Sequence, residues 1–436
     1  MTAAADASLL VQAAMAATRQ RLRAEWRTVV GQHRRGNELG LATAMLDAPT
    51  GPAGAAEQAC AAAVASAGME GAKAEHLQQR ALAKLERALR VTVQPDGSHA
   101  SRSPKAALNL LLDLMALEHE LLRQGVAFPP GIARAKTALA GAVRALTLAD
   151  GALAAVQGGE AVDVPAELFA TSAAGRRAPS CGGVHRLDGG RLQVVADAAA
   201  PATGAWSTGA CGQPLAIEVV ADGRRLIGGP QWSPDARAPQ AMRLAEAAST
   251  ATLGDGICGR PLAGFAGRRL GPRLVEGCGP VSISRRTTDA GEGLEMSHQG
   301  WARLGLTHHR RLYLAAGMDE LRGEDHFSPT APRRGLDGRR FIPYTVRFHL
   351  RPEISALVAR DGRSVLLKAE GDDAGWQLRT DAREVTLEGS VIYVAGEPRR
   401  TQQVVLRGQV RPDTGARIRW KLAAPGGRVD GGRDGP

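Results

Sequence analysis

The hydrophobic period of this chain changes once, near Asp150-Gly151, and no other feature limits its possible folds so strongly. Before that point apolar residues recur at helical spacing. In "KAALNLLLDLMALEHELLRQG", Leu108, Leu111, Leu112, Met115 and Leu122 fall on one stripe, while Leu110, Leu114, Leu117 and Leu121 make a second. Two stripes predict a helix buried on two sides, ended by Gly125 and the Pro129-Pro130 pair. Further helices are predicted over 8–30, 38–47, 56–70, 74–90 and 131–148, so the first part reads as layered helical hairpins.

After the change the period is two. "RLQVVADA", "PLAIEVVADGRRLIGG", "VSISRRT", "GLTHHRRLYLAAG", "RSVLLKA", "REVTLEGSVIYVAG" and "TQQVVLRGQV" predict strands, with Asp222-Gly223 and Asp361-Gly362 as hairpin turns. In "IPYTVRFHL", Val346, Phe348 and Leu350 face one way and Arg347 and His349 the other, so an apolar face backs a basic one. Many short strands with few helices imply a large antiparallel β-sandwich. The expected division is a helical region over 1–155, a linker over 156–185, a sandwich over 186–423 and a disordered tail over 424–436.

At 436 residues, with 44% hydrophobic residues, the chain can bury a substantial core. Its net charge of +11 favours an anionic partner, either an acidic sugar polymer or nucleic acid. With only 3% aromatic residues there are few stacking platforms, and the motifs of nucleic-acid binders are missing. Nucleic acid is therefore the less favoured partner. Five cysteines, far apart and without a C-x-x-C pair, predict reduced structural thiols. No apolar run reaches the roughly 20 residues of a bilayer span, and no basic-then-apolar leader opens the chain. As written it is expected in the cytoplasm, and an upstream segment would place it in the cell envelope.

Several strings then combine: "QPDGSHASRSP", "ADGALAAVQGG", "EMSHQGWARLGLTHHRRLYL", "LRGEDHF", "YTVRFHLRPEISALVARDGRSVLL" and "PRRTQQVVLRG". Together they resemble the heparinase II/III-like proteins of bacteria, from about residue 85 to 422. The resemblance implies an incomplete α/α toroid joined to an antiparallel β-sandwich, with some toroid helices absent. It also implies cleavage of an acidic, uronate-containing polysaccharide by β-elimination. That reaction needs the sugar carboxylate neutralised, a base for the C5 proton and an acid for the departing O4.

Residue by residue, the resemblance is incomplete. Asn37 stands where the family places its toroid asparagine, but Glu38 replaces the following histidine and Ala106 sits at the tyrosine place. Cys211 and Gln213 occupy the places of a metal-binding His and Asp, and Thr250 that of a further His, so no zinc site of that kind and no cofactor is expected. The remaining candidates for catalysis are Asn37, His99, Arg102, His298, His308 and His349, with Arg310, Arg347 and Arg351 for substrate binding. A histidine in such a loop at a helix start is more often a capping or solvated residue. Of His308 and His309 at most one can face a site, because neighbours in a strand point to opposite faces. The implied function is a polysaccharide lyase, either efficient or with its activity weakened, altered or lost, or else a non-catalytic binder of an acidic glycan or envelope polymer.

Overall fold

In the computed structural model the described residues are 38–169, 177–234, 236, 238–330, 339–371 and 375–424. Helices come first: α1 Glu38–Asp47, α2 Ala55–Ser66, α3 Ala72–Thr92, α4 Pro104–Arg123 and α5 Pro130–Leu146. The Ser103 side chain caps α4 by accepting from the Ala106 N–H, and Pro104 fills the first helical position, where its missing N–H costs nothing. Leu110, Leu114, Leu117 and Leu121 are fully buried, as the second stripe predicts. Leu122 is not: it belongs to a run of exposed residues where the helix ends. Alanines at 56, 59, 62 and 63 are fully buried on α2 and let its neighbours approach closely.

The strands begin with β1 Ser180–Cys181, β2 Val184–Gly189, β3 Leu192–Asp197, β4 Ile217–Ala221, β5 Arg224–Gly228, β6 Ala251–Leu253, β7 Arg260–Pro261 and β8 Leu274–Glu276. A short helix, α6 Gly264–Leu270, lies between β7 and β8. Then come β9 Val281–Thr288, β10 Gly291–His298, β11 Leu306–Ala315, β12 Glu320–Pro329, β13 Ile342–Leu350 and β14 Ile354–Val358. The last are β15 Ser364–Ala369, β16 Trp376–Thr380, β17 Glu384–Val394, β18 Glu397–Val410 and β19 Ala416–Ala423. One sheet has the order β1-β2-β3-β4-β5-β13-β18-β17, with β6 beside β13, and the other runs β14-β15-β16-β19-β12-β11-β10-β9. All their pairings are antiparallel, which gives the expected sandwich.

Val346, Phe348 and Leu350 of β13 point into the sandwich core, where Phe348 meets Trp420 edge-on at 4.9 Å. The first sheet is buried on its outer side as well. Val194 joins the sandwich core while its neighbour Val195 joins the helical core, so β3 is covered on both faces. That double burial explains the consecutive apolar residues Val194, Val195 and Ala196.

The expected linker requires correction. Val156 to Glu160 are buried, and the Gln157 side chain donates to Asp197 at 2.6 Å and accepts from the Cys211 N–H at 3.0 Å. The segment is poor in large apolar residues because it is a polar seam between the two halves, with its polar groups paired. The predicted helix over 8–30 and residues 425–436 of the predicted tail lie outside the described residues. No helix among the described residues is long and apolar enough to cross a membrane.

Candidate functional site

The seam gathers the N-terminal candidates. Arg102 adopts a left-handed backbone, φ 64°, and its guanidinium donates to the carbonyls of Gly182 at 2.8 Å, Ala199 at 3.1 Å and Ala200 at 2.9 Å, besides pairing with Asp197. It clamps the helical half to the sandwich. His99 is buried; its Nδ1 lies 2.7 Å from the Ser101 hydroxyl and its ring meets Trp206 edge-on. Burial pushes its pKa down to about 4, so it is neutral at pH 7. Asn37 lies outside the described residues.

His298, His308 and Arg310 meet inside the sandwich. Asp325 is fully buried; burial alone would raise its pKa, but Arg310, which donates to both its oxygens at 2.8 and 3.0 Å, pulls it well down. A carboxylate only accepts, so His308 Nε2, 2.8 Å away, carries a proton. His308 Nδ1 is then an acceptor and takes the Nε2 proton of His298 at 3.1 Å. At the far end His298 Nδ1 accepts the Gly300 N–H at 3.1 Å, so both ends of the chain of bonds require the same tautomers. Arg310 also donates to the carbonyls of Leu215 and Ser249. Burial and neighbouring cations lower the pKa of both imidazoles, which are neutral at pH 7. His309, on the other face of β11, is partly exposed and bonds Ser328. The rule that adjacent strand residues diverge holds here. Arg310 is a core residue, buried away from any ligand surface.

On the outer face of β13, the expected exposure of the basic pair also needs correction. His349 is only 3% exposed, covered by Ser390 on β17 and the Glu246 carbonyl, and burial pushes its pKa down to about 4. It forms part of the wall of an open cleft of about 560 Å³ together with Met242, Glu246, Arg400 and Thr401. Arg347 is half-buried and donates to Thr252, while Arg351 pairs with Glu353 at 3.7 Å. The more exposed cations gather on the second sheet, where Arg311, Arg322, Arg379, Arg419 and Lys421 border a cleft of about 490 Å³ with Glu324 and Asp381.

Residues 171–421 match the heparinase II/III-like C-terminal family. The chain belongs to that family. FtsZ-localized protein C of Caulobacter vibrioides (strain NA1000 / CB15N) is 43% identical over 386 residues, covering 87% of this chain and 67% of that protein. Among solved structures, heparinase III superposes with TM-score 0.67 at 13% identity, covering 90% of this chain and 65% of its own length. The heparan sulfate lyase HepC from Pedobacter heparinus gives TM-score 0.65 at 12% identity, over 89% of this chain and 62% of its own. The chain thus spans less than two thirds of the solved structures that it matches. At such identity the likeness concerns the fold, and it agrees with the toroid-plus-sandwich expectation.

Within this heparinase II/III-like chain the substituted positions have structural partners. Gln213 donates to the carbonyls of Met242 at 2.9 Å and Leu244 at 3.2 Å, and the Thr250 hydroxyl donates to the Pro214 carbonyl at 2.6 Å. Beside them Arg243 is fully buried, stacks 4.5 Å over Trp232 and donates to the Ala210 and Ser207 carbonyls. Ala106 brings no hydroxyl to the seam, where Lys105 pairs with Glu160 at 3.0 Å.

Sequence reasoning missed two features. Asp325, within the quoted "LRGEDHF", organises the buried histidines. Cys258, Cys278 and His298, read as unrelated, come together with donor atoms within 4.8 Å of one another. No local signal marks this meeting, since glycine also follows Cys181 and Cys211, which lie outside the cluster.

Proposed function

We propose that this chain is a non-catalytic member of the heparinase II/III-like family that acts by binding, at the cellular location of FtsZ. The 43% identity to FtsZ-localized protein C across 87% of the chain carries this reading. Its non-catalytic character is supported by the histidines: His99, His298, His308 and His349 are each at most 4% exposed and are held neutral by burial. A general base must reach the proton that it removes, and a general acid must be protonated near the working pH. These imidazoles meet neither need. The alternative is β-elimination of an acidic polysaccharide, favoured by the family alone.

A fluorescent fusion imaged beside labelled FtsZ tests the location, and a uronide-lyase assay tests the chemistry. The expected results are coincident localisation and no 4,5-unsaturated product absorbing in the ultraviolet from heparan sulfate or alginate. A diffuse fusion overturns the first part. Sustained product formation overturns the second.

A further inference from the structure

We propose that Cys258, Cys278 and His298 form a zinc-binding site that fastens the excursion carrying β7, α6 and β8 to the sandwich. The three residues are 2%, 3% and 1% exposed, and their donor atoms all lie within 4.8 Å of one another. Zinc with Zn–S near roughly 2.3 Å and Zn–N near about 2.1 Å needs its donors about 3.5–3.8 Å apart, a contraction of up to about 1.3 Å. Gly300 shows that two donors converge: a Cβ built there would lie 2.4 Å from Cys258 Sγ and 2.9 Å from His298 Nδ1. Only glycine leaves that space open.

The histidine is prepared as a ligand by the bonds behind it. Asp325 fixes His308, His308 holds the Nε2 proton of His298, and the Nδ1 lone pair of His298 is thereby turned toward the sulfurs. A carboxylate–imidazole arrangement of this type raises ligand basicity and sets ring orientation. At present that lone pair accepts only the Gly300 N–H, a bond that zinc would replace.

Charge selects the cation. Two thiolates and a neutral imidazole around Zn²⁺ sum to zero, so the filled site is tolerated in a buried place. A cuprous ion would leave one uncompensated negative charge. Soft sulfur donors disfavour magnesium and calcium. On binding, each thiol gives its proton to solvent, two protons are released, and water takes the fourth tetrahedral position. Cys258 follows β6 and Cys278 follows β8, so the metal would close the loop formed by residues 259–277 at its base. That loop presents Phe265, Leu270 and Val275 as exposed apolar residues, while Arg273 ties it to the Gly204 carbonyl at 3.2 Å.

The test uses the full chain purified under reducing conditions. Elemental analysis should find one zinc per chain, and cobalt substitution should give the near-ultraviolet thiolate-to-metal charge-transfer band. C258S and C278S should each lower zinc affinity by more than tenfold, measured by competition with a chromophoric chelator, whereas C60A should leave it unchanged. Hydrogen exchange in 259–277 should slow when zinc is added. The cobalt spectrum needs no variant, so misfolded mutants would not blunt the test. Reduced wild-type chain that takes up neither zinc nor cobalt overturns the proposal, as does undiminished zinc in the C258S/C278S double variant. A Cys258–Cys278 disulfide with no metal uptake after reduction also overturns it.

Discussion

At the scale of single residues, the buried charges dominate. Arg310 and Asp325 are both wholly inaccessible, and removing one partner leaves the other without compensation. Arg310→Met should therefore cost about 3–5 kcal/mol by denaturant unfolding, far more than an exposed change such as Arg379→Met, expected within about 0.5 kcal/mol. The histidines give a pH dependence whose sign is fixed. His99 and His349 have folded pKa values near 4, below an unfolded value near 6.5, so the unfolded chain binds more protons between those limits. Their contribution is complete above pH 6.5 and is lost as pH falls toward 4. Each contributes up to about 3 kcal/mol. Unfolding followed from pH 7 to 4 should show stability falling over that window, and His349→Gln should flatten the slope.

At the scale of elements, α4 shows how a helix gains stability from both faces. Leu111 on one stripe and Leu114 and Leu117 on the other are all buried among the other helices. Leu117→Ala should lower unfolding free energy by about 2–5 kcal/mol, while Leu122→Ala, at an exposed position, should be nearly silent. β13 teaches the complementary lesson. Its apolar alternation places Val346 and Phe348 correctly in the core, yet alternation cannot say whether the opposite face meets solvent or another element. Ser390 and the Glu246 carbonyl cover His349, and both come from segments distant in sequence.

At the scale of the molecule, the two halves are joined by a polar seam. Arg102 reaches three carbonyls and Asp197 across it, Gln157 holds Asp197 from the other side, and Arg225 links Asp150 to Glu218. Breaking the Arg102 clamp should uncouple the halves. Arg102→Ala is expected to split a single calorimetric transition into two, and an unchanged single transition at the wild-type temperature would contradict this. The second-sheet face around Arg379 and Arg419 should govern any attraction to anionic polymers, with binding that weakens steeply as salt rises.

Local sequence determined the elements. Helices over 38–47 and 104–123, the β3, β4 and β5 strands and the turn at Asp222-Gly223 follow from apolar spacing and turn chemistry, which act over a few residues. The incomplete match to the lyase constellation was also legible, because Ala106, Gln213 and Thr250 are visible as letters. Burial of His99 and His349, the order in "VQGGE" and the meeting of Cys258, Cys278 and His298 were decided only by tertiary structure. Each depends on which distant segment lies opposite, and a polar residue reads the same in a sequence whether water or a buried partner satisfies its hydrogen bonds.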